Sequence, residues 1–326
     1  MQAVVLVGGE GTRLRPLTAT LPKPVVPLAG RPFISYMIGW LGGHGVDEVI
    51  LACGFLPDAL RDVLGEGEPG GPRIRYVTEP EPLGTAGAIA FASDLLEERF
   101  LALNGDVLAD LDLTALQRAH ADSGARATLG LYPVADASAY GLVRTALTGE
   151  VLEFTEKPDP GEGGSAGGEI NAGAYVLERS ILDLIEPERH ISIERDVFPK
   201  LVGEGLFGLR LEGYWMDIGT PDRYLQATWD ILEGRVHTGM AEAPDGVLID
   251  PGASVDPEAS IGPRAVVAAG CRIDAGAEVR GSVLLEGCEI GVGARVTAAI
   301  LSPRVVVEPG ARLEGTVVGE GERVRA

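Results

Sequence analysis

The stretch Gln2-Ala-Val-Val-Leu-Val7 is an apolar run that stops at Gly8-Gly-Glu-Gly-Thr-Arg13. A short continuous run of this kind reads as a strand buried on both faces, delivering its carboxyl end into a glycine-rich loop. Further apolar runs follow at Val49–Ala52, Ile74–Val77, Phe100–Leu103, Ala127–Leu131 and Gly173–Leu177, with helix-like segments Ile34–Gly43, Pro57–Leu64 and Thr85–Leu96 between them. Strands alternating with helices predict an α/β domain with a mostly parallel mixed sheet of Rossmann-like type. Ligands of such sheets lie beyond the carboxyl ends of the strands, where the Gly8 loop and the segment after Leu103 both fall.

A second pattern takes over past residue 244. Ile249, Val255, Ile261, Val267, Ile273 and Val279 recur every six residues, with Gly, Ala and Pro at the corners. The register breaks near Leu284/Leu285, resumes at Ile290 and Val296, slips by one to Leu301, and continues at Val307 and Leu313. One inward aliphatic residue per hexad is the signature of a parallel β-helix. The expected domains are 1–235 and 246–326, joined through Glu233–Gly246. Glu66–Pro72 and Pro158–Gly168 are rich in chain breakers and read as loops; the second, beside Glu156-Lys157, is either a lid or a plain surface insertion.

The 326-residue chain carries a formal charge of −21, which argues against a duplex or membrane binder. Within residues 1–46, however, Glu10 is the one acid against Arg13, Arg15, Lys23 and Arg31, a positive island that suits an anion. No run approaches the ~20 apolar residues of a membrane span. Three cysteines, Cys53, Cys271 and Cys288, make no disulfide framework, and Met1 leads straight into a strand, so the expected location is cytoplasmic.

Leu6–Thr18 is neither a dinucleotide fingerprint nor a Walker A loop. Gly8, Gly9 and Gly11 nonetheless let backbone N–H groups approach an anion, Arg13 adds a bidentate donor, and Lys23 adds a compact charge between prolines. Asp106, in Leu-Asn-Gly-Asp-Val, and Asp217, in Tyr-Trp-Met-Asp-Ile-Gly, suit an Mg²⁺ that keeps waters and touches substrate phosphates.

The segments GGEGTRLRPLT, PKPVVPLAGRP, EPLGTAGAI, LNGDV, SAYGLV, FTEKP, INAGAY, SIERDVFP and GYWMDIGTP make the whole chain similar to the sugar-nucleotide pyrophosphorylases. Within that family it most resembles the mannose-1-phosphate guanylyltransferases. The resemblance implies a left-handed β-helix and transfer of a nucleotidyl group to a sugar-1-phosphate. It implies Gly8 and Gly9 on base and ribose, Gly11, Thr12 and Arg13 on the phosphates with Lys23, and Gly84 and Thr85 beside the base. Asp106 and Asp217 would hold Mg²⁺, Gly141, Glu156, Asn171 and Gly173 would bind sugar hydroxyls, and Lys157 the sugar phosphate. Val107, where thymidylyltransferases carry Asn, and Gly84-Thr85-Ala86, where they carry a Gln-bearing loop, lower a thymidine reading. Glucose-1-phosphate or a cyclitol phosphate, with an adenylyl, thymidylyl or guanylyl donor, stays open, as does a non-catalytic regulatory relative. Acyl transfer by the β-helix lacks its base, since residues 244–326 contain neither His nor Lys. That domain is expected to join copies of the chain into a homo-oligomer.

Overall fold

The structure, a computed structural model, describes residues 1–54, 57–157, 167–186, 189–239 and 243–326. Residues 158–166 of the glycine-rich loop therefore lie outside the described residues. The chain runs through β1 (Gln2–Leu6), the short β2 (Pro27–Leu28) and β3 (Arg31–Pro32), α1 (Phe33–Gly43), β4 (Glu48–Cys53) and α2 (Pro57–Leu64). It continues through β5 (Arg73–Thr78), α3 (Gly84–Phe91), β6 (Arg99–Asn104), β7 (Val107–Ala109), α4 (Leu113–Ser123), β8 (Ala127–Val134) and β9 (Gly141–Thr145). Then come β10 (Val151–Glu156), β11 (Gly168–Glu178), α5 (Phe198–Leu201), β12 (Leu206–Arg210), β13 (Trp215–Asp217) and α6 (Pro221–Leu232). The chain gathers into two compact units, Met1–Gly9 with Met37–Trp215, and Glu10–Tyr36 with Met216–Ala326.

In the first unit a nine-stranded mixed sheet has the order β10-β9-β11-β6-β1-β4-β5, with β8 on β11 and β12 on β8. β1 pairs parallel to both β4 and β6, and β4 parallel to β5. β1 is apolar throughout its centre because Ala3, Val4 and Val5 are wholly buried. One face packs Val4, Ile50, Phe100 and Tyr175 with Ile193, Phe198 and Leu201; burying each such side chain contributes ~1.5–3 kcal/mol. α4 starts where the Asp112 side chain accepts the Ala115 N–H at 2.9 Å and ends at Gly124 with φ 64°, a left-handed stop that a Cβ would oppose. The expected helix Thr85–Leu96 breaks after Phe91 into a 3₁₀ turn at Ser93–Leu95.

In the second unit, three parallel sheets of five, five and four short strands stack as a β-helix. Val267, Ile273, Val279, Leu284, Ile290, Val296 and Leu301 fill its axis. The breaks in the hexad now have one cause. Val247 pairs Ala265, eighteen residues on, whereas Val266 pairs Val283 and Val283 pairs Ile300, each seventeen on. From the second coil one side of the triangle therefore has five residues, which produces both the Leu284 irregularity and the slip to Leu301. Ile249, the first residue of the pattern, sits in the end coil and stays 41% exposed. The outward residues of the first sheet, Val266, Val283 and Ile300, are buried. α6 contributes to this unit: Arg264 lies 5.2 Å over the Trp229 ring and bonds Glu233 at 2.5 Å. The segment carrying β2 and β3 joins it through Thr20, which donates to Glu320 at 2.9 Å, and Tyr224, which donates to the Pro27 carbonyl.

Candidate active site

Three neighbouring parallel strands of the first unit, β1, β4 and β5, lead at their carboxyl ends into Gly8, Gly54 and Glu79. Gly8 follows β1, Gly54 follows β4, and a Cβ on Gly54 would stand 3.0 Å from the Gly8 carbonyl oxygen. Glu79 follows β5, is buried, and accepts the Leu83 N–H at 2.9 Å. Burial raises its carboxyl above the usual range, against the Leu83 hydrogen bond. Beyond β6, Gly105 donates to the Leu6 carbonyl at 3.0 Å and a Cβ there would lie 2.6 Å from that oxygen, so only glycine lets the Asp106 turn approach β1 so closely. Asp106 is half-buried.

Gly84 opens α3 with φ 74°, and a Cβ there would meet the Ile191 carbonyl oxygen at 2.6 Å. The Thr85 hydroxyl is turned inward: it donates to Glu194 Oε2 at 2.7 Å and accepts the Ile193 N–H at 2.8 Å. Glu194 also accepts from the Ser192 hydroxyl at 2.7 Å and from the Tyr175 hydroxyl at 3.4 Å. Tyr175 in turn accepts from Asn171 Nδ2 at 2.8 Å. A chain of side chains thus links the start of α3 to β11.

The structure brings Gly141, Glu156, Asn171 and Gly173 together. β9 and β10 pair Gly141 with Glu156. A Cβ on Gly141 would lie 2.8 Å from Glu156 Oε2 and 3.5 Å from Asn171 Cβ. The Gly173 N–H donates to Asn171 Oδ1 at 3.0 Å, where the β8–β11 register is broken between Asn171 and Tyr175. Burial and then the charge of Glu194 raise the Glu156 carboxyl, with Lys157 opposing. The Lys157 ammonium lies 4.0 Å from Glu156 Oε1 and is mostly exposed. Beside them Trp215 donates to the Ala172 carbonyl at 2.8 Å, stacks on Tyr132 and meets Tyr140 edge-on.

The second unit holds the other charged groups. Gly11, at φ 62°, packs on Lys23 and Thr18, and the Thr18 hydroxyl donates to the Gly11 carbonyl at 2.7 Å. Lys23 is buried, whereas Thr12 and Arg13 are exposed. A Cβ on Gly219 would lie 2.7 Å from Arg13 Nη2 and 2.9 Å from Asp217 Oδ1, so both side chains converge on that glycine. Arg223 Nη1 approaches Asp217 Oδ2 at 3.4 Å. Among the described residues no group of three or more His, Cys, Asp or Glu forms a metal cage. Single hard carboxylates such as Asp106 and Asp217 fit Mg²⁺, which keeps waters and takes substrate phosphate oxygens. All three thiols are buried, and burial pushes Cys53 up to about 12, so Cys53 is not a poised nucleophile.

Sequence reasoning missed Glu79, Glu194, Trp215 and Arg223 as participants. Glu194 and Trp215 lie inside quoted motifs, and Glu79 is the acid that directly follows β5.

A sheet that presents its polar groups beyond the carboxyl ends of parallel strands has the architecture of a nucleotide-binding α/β domain. Comparison with known proteins narrows that class: the Nucleotidyl transferase model matches residues 2–234, and the chain belongs to that family. The GMPPB C-terminal domain model matches residues 244–326. The chain is 38% identical over 298 residues to the mannose-1-phosphate guanylyltransferase of Mycobacterium tuberculosis, covering 88% of this chain and 81% of that one. It is 41% identical over 271 residues to the mannose-1-phosphate guanyltransferase of Schizosaccharomyces pombe, covering 78% and 72%. Among solved structures, HddC from Yersinia pseudotuberculosis complexed with GMP-PN matches with TM-score 0.61 and 29% identity, over 71% of this chain and 99% of that one. No helix among the described residues is long and apolar enough to cross a membrane.

Proposed function

We propose that the chain transfers a guanylyl group from GTP to mannose-1-phosphate, giving GDP-mannose and pyrophosphate. The observation that supports this most is the convergence of Gly141, Glu156, Asn171 and Gly173 beside Lys157, in a chain whose relatives bear that activity in their names. In this reading residues 1–235 are catalytic. A phosphate oxygen of the sugar-1-phosphate attacks the α-phosphorus, the bond from that phosphorus to the bridging oxygen breaks, and pyrophosphate leaves with the electron pair.

Glu156 and Asn171 accept and donate hydrogen bonds to the sugar hydroxyls, and the backbone at Gly141 and Gly173 admits the ring without a Cβ. Lys157 holds the sugar phosphate. Gly8, Gly9, Gly84 and Thr85 border the base and ribose, Thr85 through its backbone because its hydroxyl is committed to Glu194. Gly11, Thr12, Arg13 and Lys23 bind the triphosphate and stabilise the charge that moves onto the departing pyrophosphate. Asp106 and Asp217 would hold Mg²⁺, which when bound neutralises phosphate charge. Alignment of two anions carries most of the acceleration, and no covalent enzyme intermediate is required.

The β-helix, 246–326, is read as the surface through which copies associate; exposed Ile249 and Val292 support this. Buried, unbridged thiols suit a cytoplasmic location. The function is tested by pyrophosphorolysis: GDP-mannose, pyrophosphate and Mg²⁺ should yield GTP and mannose-1-phosphate. Formation of GTP from GDP-glucose but not from GDP-mannose would replace the sugar.

A further inference from the structure

The segment that carries Arg13 and Lys23 gathers with the β-helix, and two contacts fasten it there. The Thr20 hydroxyl donates to Glu320 Oε2 at 2.9 Å, while Arg304 Nη2 grips Glu320 Oε1. Further along, Gly30 turns at φ 79° against Leu248: a Cβ there would lie 3.1 Å from Leu248 Cδ2. These anchors sit at opposite ends of one sheet. Leu248 belongs to its first strand, Val247–Ile249, and Glu320 follows its last, Val317–Val318. Four strand spacings of ~4.8 Å put them about 19 Å apart along the β-helix axis. The stretch from Thr20 to Gly30 reaches at most ~35 Å, so it spans from end coil to end coil with slack for the 3₁₀ turn at Lys23–Val25.

The charges assigned above to the triphosphate lie on and beside this stretch. Lys23 falls between the anchors, is buried, and its Cβ stands 3.1 Å from where a Cβ on Gly11 would be. Thr18, two residues before Thr20, donates to the Gly11 carbonyl at 2.7 Å. Turns closed by the Leu17 N–H on the Leu14 carbonyl and the Ala19 N–H on the Pro16 carbonyl, both at 3.0 Å, stiffen the chain between Gly11 and Thr20. A shift of Thr20 is therefore passed to Thr18, and from Thr18 to Gly11 and Lys23.

We propose that the last coil of the β-helix positions the triphosphate loop, with Glu320 as a positioning residue that acts through Thr20. This rests on the phosphate role given above to Gly11, Arg13 and Lys23. It gives the β-helix a part in the reaction besides the association of copies. Whatever moves the last coil is then read as a change in affinity for the triphosphate and not for the sugar phosphate.

Titration calorimetry of GTP with Mg²⁺ on the full chain, alongside the KM for mannose-1-phosphate, tests this. Thr20→Val and Glu320→Ala should each weaken GTP binding about 2- to 10-fold, the effect of one partly exposed hydrogen bond, and leave the KM for mannose-1-phosphate at its wild-type value. Thr20→Ser keeps the hydroxyl and should bind GTP as the wild type does. In the Glu320→Ala background Thr20→Val should cost nothing more, because both remove the same bond. Thr20 and Glu320 are exposed, so the variants should fold. A contact that is merely structural would lower the melting temperature and leave GTP binding unchanged, and that result overturns the inference. Additive losses in the double variant, or equal weakening of both substrates, do the same. A wild type that binds no GTP overturns it together with the guanylyl reading. Weakened GTP binding in both single variants, from a wild type that makes no GDP-mannose, removes the proposed reaction and upholds the anchor. Turnover of GTP and mannose-1-phosphate by a chain whose GTP affinity ignores both substitutions does the reverse.

Discussion

Replacing Thr85 by valine tests whether the Glu194 network holds α3 in place. Valine keeps the shape of threonine but removes one hydroxyl that makes two bonds, 2.7 Å to Glu194 and 2.8 Å from the Ile193 N–H. A hydrogen bond to a charged acceptor contributes ~1.5–3 kcal/mol, and an orphaned buried N–H costs ~1–3 kcal/mol. Thr85 itself is only half-buried and Glu194 retains Ser192, so the lower part of the combined range applies, about 2.5–4 kcal/mol. For a chain of this size, with about 2.1 cal/mol/K of unfolding entropy per residue, that lowers the melting temperature by roughly 4–6 °C. Thr85→Ser keeps both bonds and loses one methyl group, about 0.8 kcal/mol. Differential scanning calorimetry on the three proteins gives the answer. If Thr85→Val melts within 1 °C of Thr85→Ser (roughly 0.7 kcal/mol), the hydroxyl network is not what secures the start of α3.

Other consequences follow from the same geometry. Asp106→Ala and Lys157→Ala should each lower kcat by ~10²–10³ with the circular dichroism spectrum unchanged, as loss of one preorganised charge does; wild-type rates in both with saturating Mg²⁺ would remove those residues from the mechanism. Gly84→Ala adds a left-handed strain of ~1–2 kcal/mol to the 2.6 Å approach to Ile191, and should both lower the melting temperature and weaken GTP binding. Burial lowers the His120 imidazole below its ordinary value, the Glu178 hydrogen bond opposing. The unfolded chain therefore takes up this proton first, and stability is lost as pH falls below about 6.5; the melting temperature of His120→Asn should fall less than that of the wild type between pH 7.5 and pH 5.5, and identical slopes would refute this.

What the sequence made legible was whatever repeats locally or recurs at strand ends. The hexad from Ile249 identified the β-helix because one inward aliphatic residue per side is a local rule. Its slips were legible as breaks, but their cause, a five-residue side in each later coil, needed the pairing of Val266 with Val283 and Val283 with Ile300. Gly141, Glu156, Asn171 and Gly173 were singled out by motif, and the structure brings those four together. Thr85 and Glu194 stand 109 residues apart, and the register break in β11 that exposes Asn171 to Gly141 is a tertiary event. Glu79 left no periodic trace, because a single acid after a strand reads equally well as a turn residue. The gathering of Glu10–Tyr36 with Met216–Ala326 is similarly invisible to periodicity, since it depends on pairs as distant as Thr20 and Glu320.

The central claim is the reaction itself, and pyrophosphate release measures it most directly. Purified protein with Mg²⁺ is assayed across five nucleoside triphosphates and a set of hexose-1-phosphates. The account predicts a dominant signal with GTP and mannose-1-phosphate. Silence in every combination, from folded protein that binds GTP, would contradict it.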